Sequence, residues 1–402
     1  MSIRYLSALS VLASLLISPF ALAELTLATA IDSAFEIQMK GSLAAARRQV
    51  GEGMAREGDA LLSDAPEVGV LYKSDRPGSD DGYREYEASL ALPVWRLGEK
   101  SASQQLSDDM LAQADAELAA MKWQVASEVL DSVWLLREAE SAQALAMKQW
   151  ESARALEANI KKRLDAGEVA RADWILAQQE TASREEKYRL ARLEFLQAMT
   201  LWEGLTGLNE LPSDLDRIER VEKTSLENHP LYLNSELVLA VARAQSKRER
   251  KSLQNAPVVT LYAKRDRGLE IEPWNDSLGV QFTLPLGKTH VAADLAKAEM
   301  AVTEAMVDLN TLQRRLEYRH RKAAVELNQI EAALSLGQRV DELARARVDV
   351  SERAFEMGEM ELFLLLQARQ DADIAANNLE KLLIQHRRAI SLYNLSLGVL
   401  PQ

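Results

Sequence analysis

The four histidines, at 229, 290, 320 and 386, are the side chains best suited to proton transfer or metal binding, and their spacing supports neither. No two stand three or four residues apart, the separation that sets two imidazoles around one ion on a helix face. There is no cysteine, which excludes disulfides, thiolate ligands, cysteine nucleophiles and a lipid anchor on an N-terminal cysteine. No nucleophile elbow, Walker loop or dinucleotide fingerprint occurs, so no catalytic, metal or cofactor-binding residue is expected. The informative polar residues lie instead on short alternating segments. In 85–92, Glu85, Glu87, Ser89 and Ala91 alternate with Tyr86, Ala88, Leu90 and Leu92. In 277–284, Ser277, Gly279, Gln281 and Thr283 alternate with Leu278, Val280, Phe282 and Leu284. Period two puts each set on its own face of a strand. Such strands either separate lipid from water or half-cover a soluble sheet. On a water-filled side, Glu85, Glu87, Gln281 and Thr283 either favour cations weakly or simply solvate the wall.

The elements that carry these strands are set by proline. The prolines fall at 19, 66, 77, 93, 212, 230, 257, 273, 285 and 401, so 94–211 and 286–400 contain none. Both windows are rich in good helix formers, and proline breaks helix interiors, which predicts very long helices. Ala65-Pro66 and Ala256-Pro257, Asp75-Arg76 and Asp266-Arg267, Gly167-Glu168 and Gly358-Glu359, Ala177 and Ala368, and Gly207 and Gly398 all stand 191 residues apart. Leu92-Pro93 and Leu284-Pro285 stand 192 apart, which implies one compensated insertion. The chain is a tandem duplication. Each half reads as a helix (25–62; 230–254), two strands around a polar loop, a very long helix (99–165; 290–356), a glycine turn, and a shorter helix (169–205; 360–397). The strands partnering the two segments above are 67–73 and 258–264.

Coiled-coil spacing runs along the long helices. Val302, Met306, Leu309, Leu316, Ala323, Leu327, Ile330 and Leu334 step by four and three, interrupted at Gln313 and His320, and Leu111, Ala114, Leu118, Met121 and Val125 follow the same rule. A helix of 66 residues reaches about 100 Å at 1.5 Å per residue, longer than one soluble core, so a rod or tube is expected. Residues 1–23 read as a secretory signal, with Arg4, an apolar run from Leu6 to Leu16, and Ala21-Leu22-Ala23 as the cleavage site; a membrane anchor is the alternative. The first repeat then covers 24–207, a linker 208–228, and the second repeat 229–402. No later segment has the ~20 continuous apolar residues of a spanning helix, so a membrane crossing must use strands. The net charge of −13 makes nucleic acid an unsuitable partner. Four strands cannot close a barrel, and open edges in lipid are costly, so edges must be satisfied by other chains. Three chains supply twelve strands and room for water.

This plan resembles the TolC family of outer-membrane efflux proteins over nearly the whole chain after the leader. The resemblance rests on Leu92-Pro93 and Leu284-Pro285, the tip turns around Gly167-Glu168 and Gly358-Glu359, and the following segments Asp173-Trp-Ile-Leu-Ala177-Gln178 and Leu364-Leu-Leu-Gln-Ala368-Arg369. It implies a mainly α chain with four strands, forming a trimeric α-barrel across the periplasm and a 12-stranded barrel in the outer membrane. It implies a passive duct, not an enzyme, working with a periplasmic adaptor and an inner-membrane resistance-nodulation-division pump. Short loops are most like the CzcC-type heavy-metal branch; drug efflux, type I protein secretion and a soluble periplasmic coiled-coil adaptor are the alternatives. The resemblance places Gly167, Glu168, Gly358 and Glu359 at the periplasmic tip where the adaptor docks. The family's acidic gate maps onto Leu364 and Gln367, neither of them acidic. Candidate constriction residues are therefore Asp173, Glu361, Leu364 and Gln367, with Leu362 to Leu366 either closing the tunnel as an apolar ring or packing between helices. Tyr83, Tyr86 and Trp274 either anchor the barrel at the lipid surface or pack.

Overall fold

The computed structural model describes residues 25–222, 225–252, 256–286 and 292–401. The leader at 1–23 and His290 lie outside these residues. The first half contains α1 (Leu27–Ile37), α2 (Lys40–Asp59), β1 (Glu67–Ser74), β2 (Arg84–Pro93), α3 (Glu99–Asp165) and α4 (Arg171–Thr206). The second contains α5 (Pro230–Lys251), β3 (Val258–Arg267), β4 (Asn275–Thr283), α6 (Ala292–Glu356) and α7 (Leu362–Ser396). Between the halves the chain makes two short 3-10 turns, Leu215–Arg217 and Leu226–Asn228. With 67 and 65 residues, α3 and α6 are each about 100 Å long. Each folds back on its partner, α3 on α4 and α6 on α7, while α5 packs on both α3 and α6 and α2 packs on α3.

One helix expected over 25–62 is instead two. At Met39 the backbone turns left-handed (φ 53), and the Met39 amide closes on the Glu36 carbonyl at 3.0 Å. The break lets α1 tuck Leu27, Ala30, Ile31 and Ala34 into the core while α2 runs along α3. That core lies midway along the rods. Trp123, Val129, Leu130, Trp134 and Leu136 of α3 meet α1, Trp202 of α4, Leu215 of the linker and Ile384 of α7. Full burial of one such side chain contributes about 1.5–3 kcal/mol, and Ile384 and Leu395 tie the second half into this cluster. The seam on α6 follows Ala305, Leu309, Leu312 and Leu316, while Met306 and Gln313 face out. The coil starts on a step of three where a step of four was expected. On α3, Leu118 likewise faces out.

The strands form one antiparallel sheet in the order β1-β2-β3-β4, at the end of the rods opposite the glycine turns. The central pairing joins the two repeats, with Leu90 opposite Leu261 and Ala88 opposite Ala263. The register aligns Val70, Ala88, Ala263 and Leu278 across all four strands. Val70 is 85% and Leu278 88% exposed, so the aligned apolar face has no cover within the chain. Among the described residues, β1 and β4 each lack a strand partner on their outer edge.

Candidate functional site

The two glycine turns close in the same way. Gly167 and Gly358 both sit at φ 78, a conformation that favours glycine over residues bearing a Cβ. Glu168 donates its amide to the Arg163 carbonyl at 2.8 Å, and Glu359 donates to Ala354 at 2.9 Å. This six-to-one closure satisfies the carbonyls at the end of each long helix. No neighbour approaches a Cβ built on either glycine, so the requirement is backbone conformation alone. Glu168 pairs with Arg163 at 3.2 Å, and Glu359 is exposed. The two tips are held together by Ile160, Ala177, Leu362 and Leu365, with the Arg163 guanidinium 5.0 Å from the Phe355 ring.

The candidate constriction residues all stand in the first turns of α4 and α7. Asp173 accepts a hydrogen bond from the Ala170 amide at 3.1 Å and so caps α4. Its repeat-mate Leu364 is exposed, as are Glu361 and Gln367. Glu361 occupies the N-cap position of α7 without a side-chain bond to the backbone. The apolar run divides: Leu362 and Leu365 are buried in the tip cluster and Leu366 packs against it, whereas Phe363 and Leu364 face out.

On the sheet, Glu85, Glu87, Gln281 and Thr283 all lie on the face opposite the apolar one. Glu85 is buried between Lys73 at 3.8 Å and Lys264 at 3.7 Å, and it accepts a hydrogen bond from the Tyr83 hydroxyl. The carboxylate is thus neutralised locally, which weakens any cation preference set by this residue. Gln281 donates to the Thr283 hydroxyl at 3.3 Å. Of the three aromatic candidates, Tyr86 contacts Tyr72 and Trp274 at 5.0 and 5.8 Å between ring centroids, while Tyr83 serves Glu85.

Two buried polar groups escaped the sequence reading. Arg184 of α4 donates to Glu180 at 2.6 Å and reaches Asp373 of α7 at 2.9 Å, linking the two hairpins. Burial pushes the Asp373 carboxyl up, and Arg184 opposes that shift. In sequence, Glu180 and Arg184 look like an ordinary solvated pair one helical turn apart. His229 is wholly buried beside Trp123, its ring 4.8 Å away, and its Nδ1 accepts from the Leu231 amide at 3.2 Å. Burial, reinforced by Arg319, pushes it down to about 4. Among the described residues, no group of three or more histidine or acidic side chains could hold a metal, and no helix is long and apolar enough to cross a membrane.

No family model matches the sequence. No curated protein matches it either. Solved structures do match. CusC, reported to form a transmembrane channel, is 16% identical, with 93% of this chain and 92% of that chain covered at a TM-score of 0.72. The open MtrE outer-membrane channel of Neisseria gonorrhoeae is 17% identical over 94% of this chain and 89% of that one, at 0.70. The CmeC outer-membrane channel of Campylobacter jejuni is 16% identical over 92% and 85%, at 0.68. The chain therefore has, over nearly its whole length, the fold of outer-membrane channel proteins.

Proposed function

We propose that this chain is one subunit of a homotrimeric outer-membrane channel in a tripartite efflux system, conducting substrates passively and catalysing no reaction. The observation that carries this reading is the sheet: one face is apolar and exposed, the other polar, and both edges are open. A lipid-facing sheet must pair its edges, because each unpaired backbone group in hydrocarbon costs several kcal/mol. Three copies pair every edge and make a 12-stranded barrel wide enough for water. The long helices then extend about 100 Å into the periplasm, and the Gly167 and Gly358 tips meet the adaptor of a resistance-nodulation-division pump. Residues 1–23 direct export, 24–207 and 229–402 are the two repeats, and 208–228 links them. Heavy-metal cations are the proposed cargo, by resemblance to the CzcC-type branch. Asp173, Glu361, Leu364 and Gln367 are proposed to border the tunnel entrance, and Glu85, Glu87, Gln281 and Thr283 the barrel lumen. Fractionation tests the architecture. The protein should stay with outer membranes through salt and alkali and leave only in detergent, at the mass of three chains. A monomer released by salt would instead identify a soluble periplasmic protein.

A further inference from the structure

The apolar face of the sheet ends in charge. Beyond the row of Ala88 and Ala263 stands a row with Tyr72, Tyr86 and Arg265, and beyond that a row with Arg84 and Arg267. Successive rows are two residues apart, about 7 Å along a strand, and the last adjoins the turns that join β1 to β2 and β3 to β4. Trp274, just ahead of β4, closes the cluster. Its ring lies 5.8 Å from that of Tyr86, with the Arg265 guanidinium at 5.5 Å and the Arg267 guanidinium at 4.9 Å. Arg84 and Arg267 are direct register partners on adjacent strands. Like charges set directly opposite one another destabilise a sheet. Among the described residues, no carboxylate stands within ion-pair distance of either one, whereas Arg265 pairs with Asp276 at 3.3 Å. Arg267 is held by Trp274 and by a bond from its Nη1 to the Glu270 carbonyl at 3.3 Å. The nearby acids are engaged elsewhere: Glu85 by Lys73, Lys264 and Tyr83 on the other face, and Asp75 by Ser79 and Gly82 in its own turn. Two guanidiniums without a countercharge thus stand at the rim of an apolar surface, against aromatic rings.

We propose that Arg84 and Arg267, with Tyr86 and Trp274, bind the phosphate of an outer-leaflet lipid of the lipopolysaccharide class, one site on each copy. This rests on the channel reading, which sets the apolar face against lipid and the turns beside Arg84 and Arg267 outside. The order of the rows then matches the order of a phosphorylated lipid. Ala88, Ala263 and Leu278 lie at the depth of acyl chains, Tyr86 and Trp274 at the interface where such rings collect, and the arginines at the level of headgroups. A guanidinium presents a planar fork that matches phosphate oxygens in pairs, and stacking on Trp274 pre-organises that of Arg267. The site lies on the face away from the polar lumen, so a transported solute does not reach it. A soluble anion would need none of the apolar rows beneath; a phosphorylated glycolipid of the outer leaflet uses all of them. The bound phosphate also offsets the repulsion between Arg84 and Arg267, so the lipid stabilises the sheet that holds it.

The test titrates the full-length protein, stripped of lipid in a non-ionic detergent, with bisphosphorylated lipid A and counts bound lipid by native mass spectrometry. The Arg84→Gln/Arg267→Gln double variant should bind about tenfold more weakly or worse, since two charge-assisted contacts are lost. Arg189→Gln, a change at an exposed arginine of α4, should bind as the wild type does. Equal binding by the double variant overturns the site. The single Arg84→Gln variant guards against a folding defect. It removes one of two repelling charges, so its melting temperature without lipid should hold or rise while its affinity falls. A lower melting temperature with unchanged affinity would make the arginines purely structural. Displacement of lipid A by inorganic phosphate, or equal affinity for phosphatidylglycerol, would overturn the choice of lipid. A trimer that binds no lipid A defeats this site and leaves the channel standing. A monomeric wild-type chain in detergent would defeat the channel reading instead.

Discussion

His229 shows how one residue can matter to stability from within the core. It precedes α5 and is buried against Trp123 of the first repeat. A histidine held near 4 stays neutral in the folded chain while the unfolded chain takes up a proton below its ordinary value of about 6.5. Stability from this residue is therefore complete above pH 6.5 and declines as pH falls towards 4, by on the order of 3 kcal/mol in all. His229→Asn keeps an acceptor for the Leu231 amide but removes the proton. Its melting temperature in detergent should fall less than that of the wild type between pH 6.5 and 4; parallel curves would show that His229 does not carry this sensitivity. The sequence marked His229 only as one isolated histidine, because its burial depends on Trp123 of α3, far away in the chain. Arg184 was hidden for the same reason: its partner Asp373 belongs to the other repeat. Gly167 and Gly358 were legible, since a helix that must reverse needs a left-handed residue at its end.

At the scale of elements, absence of proline and the 191-residue offset placed both hairpins, and period-two alternation pointed to the strands. The bounds of α3, 99–165, agree to the residue. The break at Met39 was not legible, because methionine forms helices well and the turn is imposed by docking α1 in the core. Neither was the choice of Ala305 over Met306 for the α6 seam, since two neighbouring apolar residues satisfy the same periodicity. The sheet makes a sharper statement. Leu278 lies on the apolar face and Ser277 beside it on the polar one. If the apolar face meets lipid, Leu278→Arg costs about 2–4 kcal/mol near the bilayer midplane, whereas an arginine facing water is tolerated. Outer-membrane trimer should therefore drop sharply for Leu278→Arg and hold for Ser277→Arg. Equal levels for both variants would deny this face its contact with lipid.

For the whole molecule, the two repeats are not independent domains. Within the chain they share a sheet at one end, a core at the middle and an apolar cluster at the tips. Yet the sheet edges are left open. The duct proposed above would select little by chemistry, so its cargo is read best from growth. A strain lacking the gene should become sensitive to zinc, cobalt, cadmium, copper or silver, with resistance restored by the cloned gene. Sensitivity limited to dyes and detergents would leave the architecture and replace the cargo.

By itself the sequence determined the duplication, the helical rods, the strand faces and the tip turns. Each of these follows from short-range rules: proline exclusion, periodicity of 2 or 3.5, and glycine at a reversal. Only the tertiary structure decided which residues of one periodic face are covered and which remain open. Leu193 and Ile384 occupy the same place in their repeats, and no local rule distinguishes them. One is exposed and the other buried because a helix from the opposite hairpin lies over only one of them, and that is a property of packing at long range.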